Sequence, residues 1–190
     1  MKKVLFAMLI LASFTSQAQK GDILVGGNIG YSSNNNSGIS KTSNFTFTPT
    51  VGYFFSNTWS GGLVANIGSG KVTDETTTPN TVTNSSNFAI GPYVRYTQNI
   101  SKIFGIYYQA QGLFGSSKYG GAKTSTTNIN LFPAIFLNVK NGFGLNASFG
   151  GINFGSSKPS GGSSDNSFNI SLGQVLSVGV SKSFGTSKSK

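Results

Sequence analysis

The chain has 190 residues, and 14 Lys and Arg against 4 Asp and Glu give it a net charge of +10. It contains no cysteine and no histidine, which excludes disulfides, thiolate nucleophiles, histidine bases and metal sites built from those residues. Only 9% of the residues are charged, against roughly a quarter in typical soluble domains, while 13% are aromatic and 26 are glycines. This composition favours one β-rich domain with short turns.

The N-terminus has the pattern of an export signal. Two lysines precede an apolar run at residues 4–14, which is too short to cross a bilayer as a helix. Residues 16–18, Ser-Gln-Ala, form a small-x-small cleavage site, and no cysteine follows that could carry a lipid. We therefore predict a signal peptide at residues 1–18, one domain at residues 19–184 and a tail at residues 185–190. The alternative is a buried N-terminal strand.

One pattern, apolar-x-apolar-x-Pro-x-apolar-x-apolar, recurs along the chain. Its copies are FTFTPTVGY at 45–53, FAIGPYVRY at 88–96 and INLFPAIFL at 129–137. A fourth segment, ISLGQVLSV at 170–178, keeps the spacing with Gln174 in place of proline. Alternation with a period of two is typical of strands with one apolar face. Four hairpin-sized units predict about eight strands.

The predicted strands alternate between two kinds of connection. In chain order they cover residues 23–31, 45–55, 59–68, 87–97, 104–114, 128–139, 143–154 and 167–184. Strands of odd number are followed by long polar segments, which we predict to be loops at residues 34–43, 69–86, 116–127 and 156–166. Strands of even number are followed by very short turns. Short periplasmic turns and long extracellular loops are typical of bacterial outer-membrane barrels.

Proline is unfavourable in a closed barrel because it removes one N–H from the ladder. Pro49, Pro92 and Pro133 nevertheless occupy equivalent positions in strands of even number. We therefore expect each of the three to mark a β-bulge or a bend in its strand.

These segments resemble a known family. The signal segment, the repeated FTFTPTVGYFFSNTWSGG-like hairpins and the final strand LSVGVSKSF resemble small outer-membrane β-barrel domain proteins, the porin family group common in Bacteroidota. That group is similar in architecture to the OmpA transmembrane domain and to OmpX. The resemblance implies an all-β, eight-stranded antiparallel up-and-down transmembrane β-barrel. It also implies that Phe184, with Gly179 upstream, is the signal recognised by the barrel-assembly machinery.

Two sets of side chains have predicted positions in such a barrel. Aromatic residues beside the short turns are expected at a membrane interface, although ordinary core aromatics are the alternative. These rim residues are Tyr53, Phe55, Trp59, Tyr96 and Phe143. Arg95 is the one ionisable residue clearly on the lumen face. The other predicted lumen residues are mostly neutral and often small, and they are Asn66, Gln109, Gln111, Asn130, Asn138, Asn146, Ser148, Ser171 and Ser177. Arg95 is either a solvated residue at the periplasmic mouth or an anion-selecting residue in a narrow pore.

We predict no catalytic, cofactor-binding or metal site, and no enzyme activity. The acids, Asp22, Asp74, Glu75 and Asp165, fall in predicted loops or near the N-terminus. Expected partners are outer-membrane lipid and lipopolysaccharide, whose phosphates the loop lysines could contact. Dispersed lysines argue against nucleic acid, and we expect a monomer. The favoured function is a structural or envelope-associated role in the outer membrane. Alternatives are a narrow passive porin for small solutes, a surface adhesin acting through the long loops, and a soluble periplasmic β protein.

Overall fold

Eight antiparallel strands form a closed barrel in which each strand pairs with the next and β8 pairs with β1. The computed structural model describes residues 20–77, 79–101, 103–140 and 143–185. The predicted all-β barrel is therefore confirmed, whereas the predicted signal peptide and residues 186–190 of the tail lie outside the described residues. The strands are β1 Ile23–Asn36, β2 Ser40–Phe54, β3 Trp59–Asp74, β4 Thr81–Asn99, β5 Phe104–Tyr119, β6 Ala122–Lys140, β7 Phe143–Pro159 and β8 Asp165–Phe184.

The strands extend much further than predicted at one end of the barrel. Segments predicted to be long polar loops are mostly paired strand, and the β5–β6 connection is only Gly120 and Gly121, between the paired Tyr119 and Ala122. Both glycines have positive φ, 54° and 91°, which a two-residue hairpin turn requires. The loop prediction was wrong because these extensions have no apolar face, so the alternation that identifies a strand disappears. We call this end the long-hairpin end and the opposite one the short-turn end.

Apolar side chains lie mainly on the outside of the barrel. Each strand contributes at least two large outward side chains that are more than 40% exposed. These include Ile23, Val25, Phe45, Val51, Leu63, Ile67, Phe88, Ile90, Tyr108, Phe114, Leu131, Leu137, Leu145, Ile152, Phe168 and Ile170. We call this continuous surface the apolar belt. The described residues include no helix that is long and apolar enough to cross a membrane.

The prolines interrupt the ladder on one side only. Pro49, Pro92 and Pro133 pair in register with the preceding strand, opposite Gly27, Leu63 and Tyr108. Toward the following strand, the ladder skips Pro49 and Pro92 but resumes in the same register. Only at Pro133 does the register shift. A register shift, as a β-bulge gives, is therefore present at Pro133 and absent at Pro49 and Pro92, because losing one N–H does not require an extra residue. A bend of the strand at Pro49 and Pro92 stays a prediction.

The closing seam is the shortest ladder of the barrel. Strands β1 and β8 are registered from Ile23 opposite Phe184 to Asn28 opposite Gly179. Beyond that point β1 stays paired with β2, and β8 stays paired with β7 to Asp165. In the described part of the chain, no registered pair joins β1 to β8 between the Asn28–Gly179 pair and the long-hairpin end. The β7–β8 register also shifts here, because Phe149 pairs with Leu176 but Gly150 pairs with Leu172.

Candidate functional site in the barrel lumen

Arg95 lies inside the barrel, where three neighbouring strands place it between Ser60 on β3 and Gln109 on β5. Its Nε and Nη2 both donate to the same Oε1 of Gln109, at 2.9 and 2.6 Å. Gln109 is 3% exposed, and its amide donates onward to Oε1 of Gln111 at 2.7 Å. The guanidinium carbon lies 4.0 Å from the centre of the Tyr107 ring and 5.6 Å from that of Tyr93.

These contacts define the surroundings of Arg95. The residue is half-buried, and its guanidinium contacts an amide oxygen and two aromatic faces. Its expected position in water at the periplasmic mouth stays a prediction. Carbonyl oxygens and ring faces can both stabilise a cation where no carboxylate is present. Within the described residues, no acidic side chain pairs with Arg95. Its proposed role in anion selection stays a prediction.

A layer of side chains divides the lumen into two cavities. The upper cavity has a volume of about 660 Å³ and extends toward the long-hairpin end as far as Ser117 and Thr126. The lower cavity, about 40 Å³, lies at the short-turn end and is lined by residues such as Asn57 and Asn99. Five residues line both cavities, and we call them the dividing layer. They are Leu24, Arg95, Tyr107, Asn146 and Ser181.

Carboxamides and hydroxyls dominate the wall of the upper cavity. Asn87 donates to Oδ1 of Asn66 at 2.5 Å, and Asn66 donates to Oγ1 of Thr48 at 3.3 Å. On the opposite wall, Asn153 donates to Oδ1 of Asn130. No Asp or Glu is among the described residues that line this cavity. Apolar side chains such as Val64, Leu113 and Phe132 also line the cavity, so its wall is mixed, with one positive charge at its floor.

Most of the residues predicted to face the lumen do so. Asn66, Gln109, Gln111, Asn130, Asn146, Ser148 and Ser171 line the upper cavity, and Asn138 lines the lower one. The prediction for Ser177 lies outside the described side chains. These residues were identifiable because they alternate with apolar residues along each strand.

The inward-facing aromatic residues were largely missed. Tyr93 is 4% exposed and packs in a small apolar cluster with Val64, Ala89 and Leu113. Tyr93 Oη is buried without a hydrogen-bond partner, as are Ser60 Oγ and Thr97 Oγ1. The signal that could have identified Tyr93 is its position opposite Gly62 on the neighbouring strand, where a missing side chain leaves room for a ring.

The predicted rim aromatics lie together at the short-turn end. The rings of Trp59 and Tyr96 are 5.1 Å apart at 55°, and their residues are cross-strand partners. Tyr53, Phe55 and Trp59 are exposed on the outside of the barrel. Near the seam, the Lys182 ammonium lies 4.7 Å from the ring centre of Phe143 and 5.1 Å from that of Phe184. Whether these rings meet a membrane interface stays a prediction.

The residues assigned to assembly, Phe184 and Gly179, bound the short ladder at the seam. Phe184 pairs with Ile23 at the short-turn end, and Gly179 pairs with Asn28 at the upper end of the ladder. A side chain at Gly179 would collide with Oδ1 of Asn28. The structure gives both residues a place in barrel closure, and their recognition by an assembly machinery stays a prediction.

The acidic residues are spread over both ends of the barrel. Asp74 and Glu75 lie at the β3–β4 hairpin, where Glu75 accepts a hydrogen bond from the amide of Gly38 at 3.2 Å. Asp165 begins β8, and Asp22 is buried just before β1. The described residues contain no group of three or more potential metal ligands.

Comparisons with known proteins identify no family. No protein-family model matches the sequence, and no curated protein matches it. Among solved structures, the chain is similar to the outer membrane protein Ail of Yersinia pestis in a phospholipid bilayer nanodisc, with 14% identity and a TM-score of 0.33. That alignment covers 87% of this chain and 100% of the Ail chain.

Proposed function

We propose that this chain is an integral outer-membrane β-barrel protein with a structural or envelope-associated role. The observation that carries the proposal is the apolar belt, to which every strand contributes exposed apolar side chains. Large contiguous apolar surfaces are rare on soluble proteins and are typical of membrane or partner contact. A closed barrel also pairs its backbone groups between neighbouring strands, which a bilayer requires.

The height of the belt fits a bilayer. Phe45 is exposed on β2, and Phe55, ten residues later, is exposed directly after β2 ends. That separation is roughly 33 Å along a strand, and a tilt near 40° projects it to about 25 Å, the height of the apolar band of such barrels. Lysines on the long hairpins, such as Lys41 and Lys118, are exposed and suited to contact with lipopolysaccharide phosphates.

The route to the membrane forms part of the same proposal. The N-terminal segment supports export, and the pairing of Phe184 with Ile23 at the closing seam supports a role for the last strand in assembly. We assign the barrel-assembly machinery as a partner during biogenesis and a monomer as the mature form. No enzyme activity is proposed, because the chain has neither histidine nor cysteine.

The dividing layer favours a structural barrel over a passive porin. A solute that entered the upper cavity would meet Arg95, held by Gln109 and stacked on Tyr107, before it reached the lower cavity. The second candidate is a narrow porin, which the 660 Å³ cavity favours if the dividing layer moves aside. An adhesin would act through the hairpin extensions, where Tyr119 offers an exposed ring.

Single-channel recording tests this proposal. The purified, detergent-folded protein is added to a planar lipid bilayer, and its insertion is verified independently by resistance to carbonate extraction. We expect a protein that inserts and conducts no measurable current. Reproducible conductance steps whose ion preference changes in Arg95→Ala would overturn the structural role in favour of the porin. Release from membranes without detergent would overturn the membrane location itself.

A further inference from the structure

The upper cavity has the properties of a binding cup. Its volume of about 660 Å³ is within the range of small-molecule sites, roughly 300–1,000 Å³. The dividing layer lies at its lower end, and its upper wall reaches Ser117 and Thr126 near the long-hairpin end. A solute entering from that end would therefore meet the side chains of the dividing layer at the floor. This property belongs to the folded barrel and does not depend on where the barrel is located.

The floor of the cup is suited to an anion. Arg95 directs Nε and Nη2 at one neutral oxygen, Oε1 of Gln109, although two such donors match the paired oxygens of a carboxylate or a phosphate. Gln109 is also held by Gln111, because its side-chain amide donates to Oε1 of Gln111 at 2.7 Å. An incoming anion that replaced Gln109 Oε1 at the guanidinium would leave this second hydrogen bond of Gln109 in place.

The wall of the cup is suited to hydroxyl groups. Asn66, Asn87, Asn130 and Asn153 bond to one another in pairs across neighbouring strands, and each carboxamide retains further donor or acceptor positions. No carboxylate is present among the described lining residues, so the wall does not repel a negative charge. Neutral amides and hydroxyls bind alcohol groups well because each can both donate and accept.

We propose that the upper cavity binds a small polyhydroxylated anion, such as an acidic sugar, with its anionic group on Arg95 and its hydroxyls on the carboxamide wall. A charge-assisted pair to Arg95 should give such a ligand an affinity about 10- to 100-fold above that of the neutral sugar. The hydroxyl contacts should likewise give it an advantage over a simple carboxylate that lacks them.

Three probes test the proposal on the full-length, detergent-folded barrel by isothermal titration calorimetry. Glucuronate carries both features, glucose carries only the hydroxyls, and acetate carries only the charge. We expect glucuronate to bind at least 10-fold more tightly than either of the others. Arg95→Met should reduce glucuronate to the affinity of glucose. Lys20→Gln, which removes an exposed charge at the short-turn end, should leave binding unchanged.

A measurement on the unmodified protein guards against variants that fail to fold. The side-chain amide signals of Gln109 and Gln111 should shift in NMR spectra when glucuronate is added and should not shift with glucose. Equal affinity for glucuronate and acetate would overturn the proposal, since the wall would then contribute nothing. Equal affinity for glucuronate and glucose would overturn it as well, and so would the absence of binding by any probe.

Discussion

The hydroxyl of Tyr93 occupies the space that a β-carbon of Gly52 would need, although the two residues lie on strands separated by β3. The ring reaches across Gly62, the cross-strand partner of both residues. Two glycines in line thus make room for one inward-facing aromatic ring. Close packing of this kind makes the lumen near the dividing layer sensitive to the addition of a single methyl group.

Gly52→Ala should therefore destabilise the barrel, because the new methyl group would overlap Tyr93 Oη. The expected loss in free energy of unfolding is about 1–3 kcal/mol, measured by urea titration of the folded protein. Adding Tyr93→Phe to this variant should restore part of the lost free energy of unfolding, because it removes the overlapping hydroxyl. Gly30→Ala is the matched control, because its nearest contact would be Thr46 Cβ at an ordinary 3.8 Å. An equal loss in both alanine variants would contradict the packing argument.

The anchoring of Arg95 gives a second prediction. Gln109→Leu keeps the volume but removes the oxygen that accepts both guanidinium donors, and it should cost about 1.5–3 kcal/mol of unfolding free energy. Gln111→Leu removes a neutral partner of Gln109 and should cost less, about 0.5–1.5 kcal/mol. Chemical denaturation compares the two variants. If Gln111→Leu proved the more costly, Gln109 would not be the main support of Arg95.

The prolines give a third prediction, which amide hydrogen exchange can test. The ladder resumes in the same register beyond Pro49, so Pro49→Ala supplies an N–H that can bond to β3 and should be protected from exchange. At Pro133 the register with β7 shifts, so the amide supplied by Pro133→Ala has no aligned carbonyl and should exchange rapidly. Equal protection at positions 49 and 133 would show that the register shift has no effect on pairing.

A fourth prediction concerns the apolar belt. If the belt faces lipid, Leu63→Lys should cost about 2–4 kcal/mol of unfolding free energy in lipid vesicles, because the charge would lie near the bilayer midplane. Ile39→Lys also replaces an exposed apolar residue by lysine, but at the tip of the β1–β2 hairpin, and it should change the free energy of unfolding very little. Both variants are measured by reversible denaturation from vesicles. Similar small effects would indicate that Leu63 faces water.

A fifth prediction concerns the β3–β4 hairpin. The hydroxyl of Thr76 donates to Oδ1 of Asp74 at 2.6 Å and its amide does so at 2.9 Å, and together they lower the pKa of the Asp74 carboxyl. Because the folded-state pKa lies below the unfolded value near 3.9, the contribution to hairpin order is present at neutral pH and is lost as pH falls through the folded pKa. The Thr76 amide signal, followed by NMR, should titrate with a midpoint below that of Asp74 in the denatured chain. A midpoint equal to or above that value would contradict the assignment.

The sequence was sufficient to predict the barrel and most of the residues that face its lumen. Alternation of apolar and polar residues identifies any strand that has one apolar face and one polar face. The hairpin extensions were not predictable in the same way. Residues such as Thr73 and Thr83 pair in strands that have water on both sides, so no side-chain pattern distinguishes them from loops. The extensions continue the register of the strand pairs in the apolar belt, and backbone pairing holds them together.

The contacts of Arg95 could not be predicted because they depend on which strand lies beside which. Its position on the lumen face followed from alternation, whereas its bond to Gln109 depends on the β4–β5 register. Tyr93 was missed for a related reason. An aromatic residue inside a polar lumen contradicts the simple alternation rule unless the glycines on two other strands are considered with it.

The short ladder between β1 and β8 means that registered backbone pairs among the described residues close the barrel along only part of this seam. At the short-turn end, the circumference is fixed by backbone hydrogen bonds from Ile23 to Asn28. Toward the long-hairpin end, the described residues show no further β1–β8 pair. The outward residues of β1 just beyond the ladder, Ile29 and Tyr31, are 69% and 73% exposed. The β1–β8 pairs among the described residues therefore lie toward the floor of the cup and not toward its mouth.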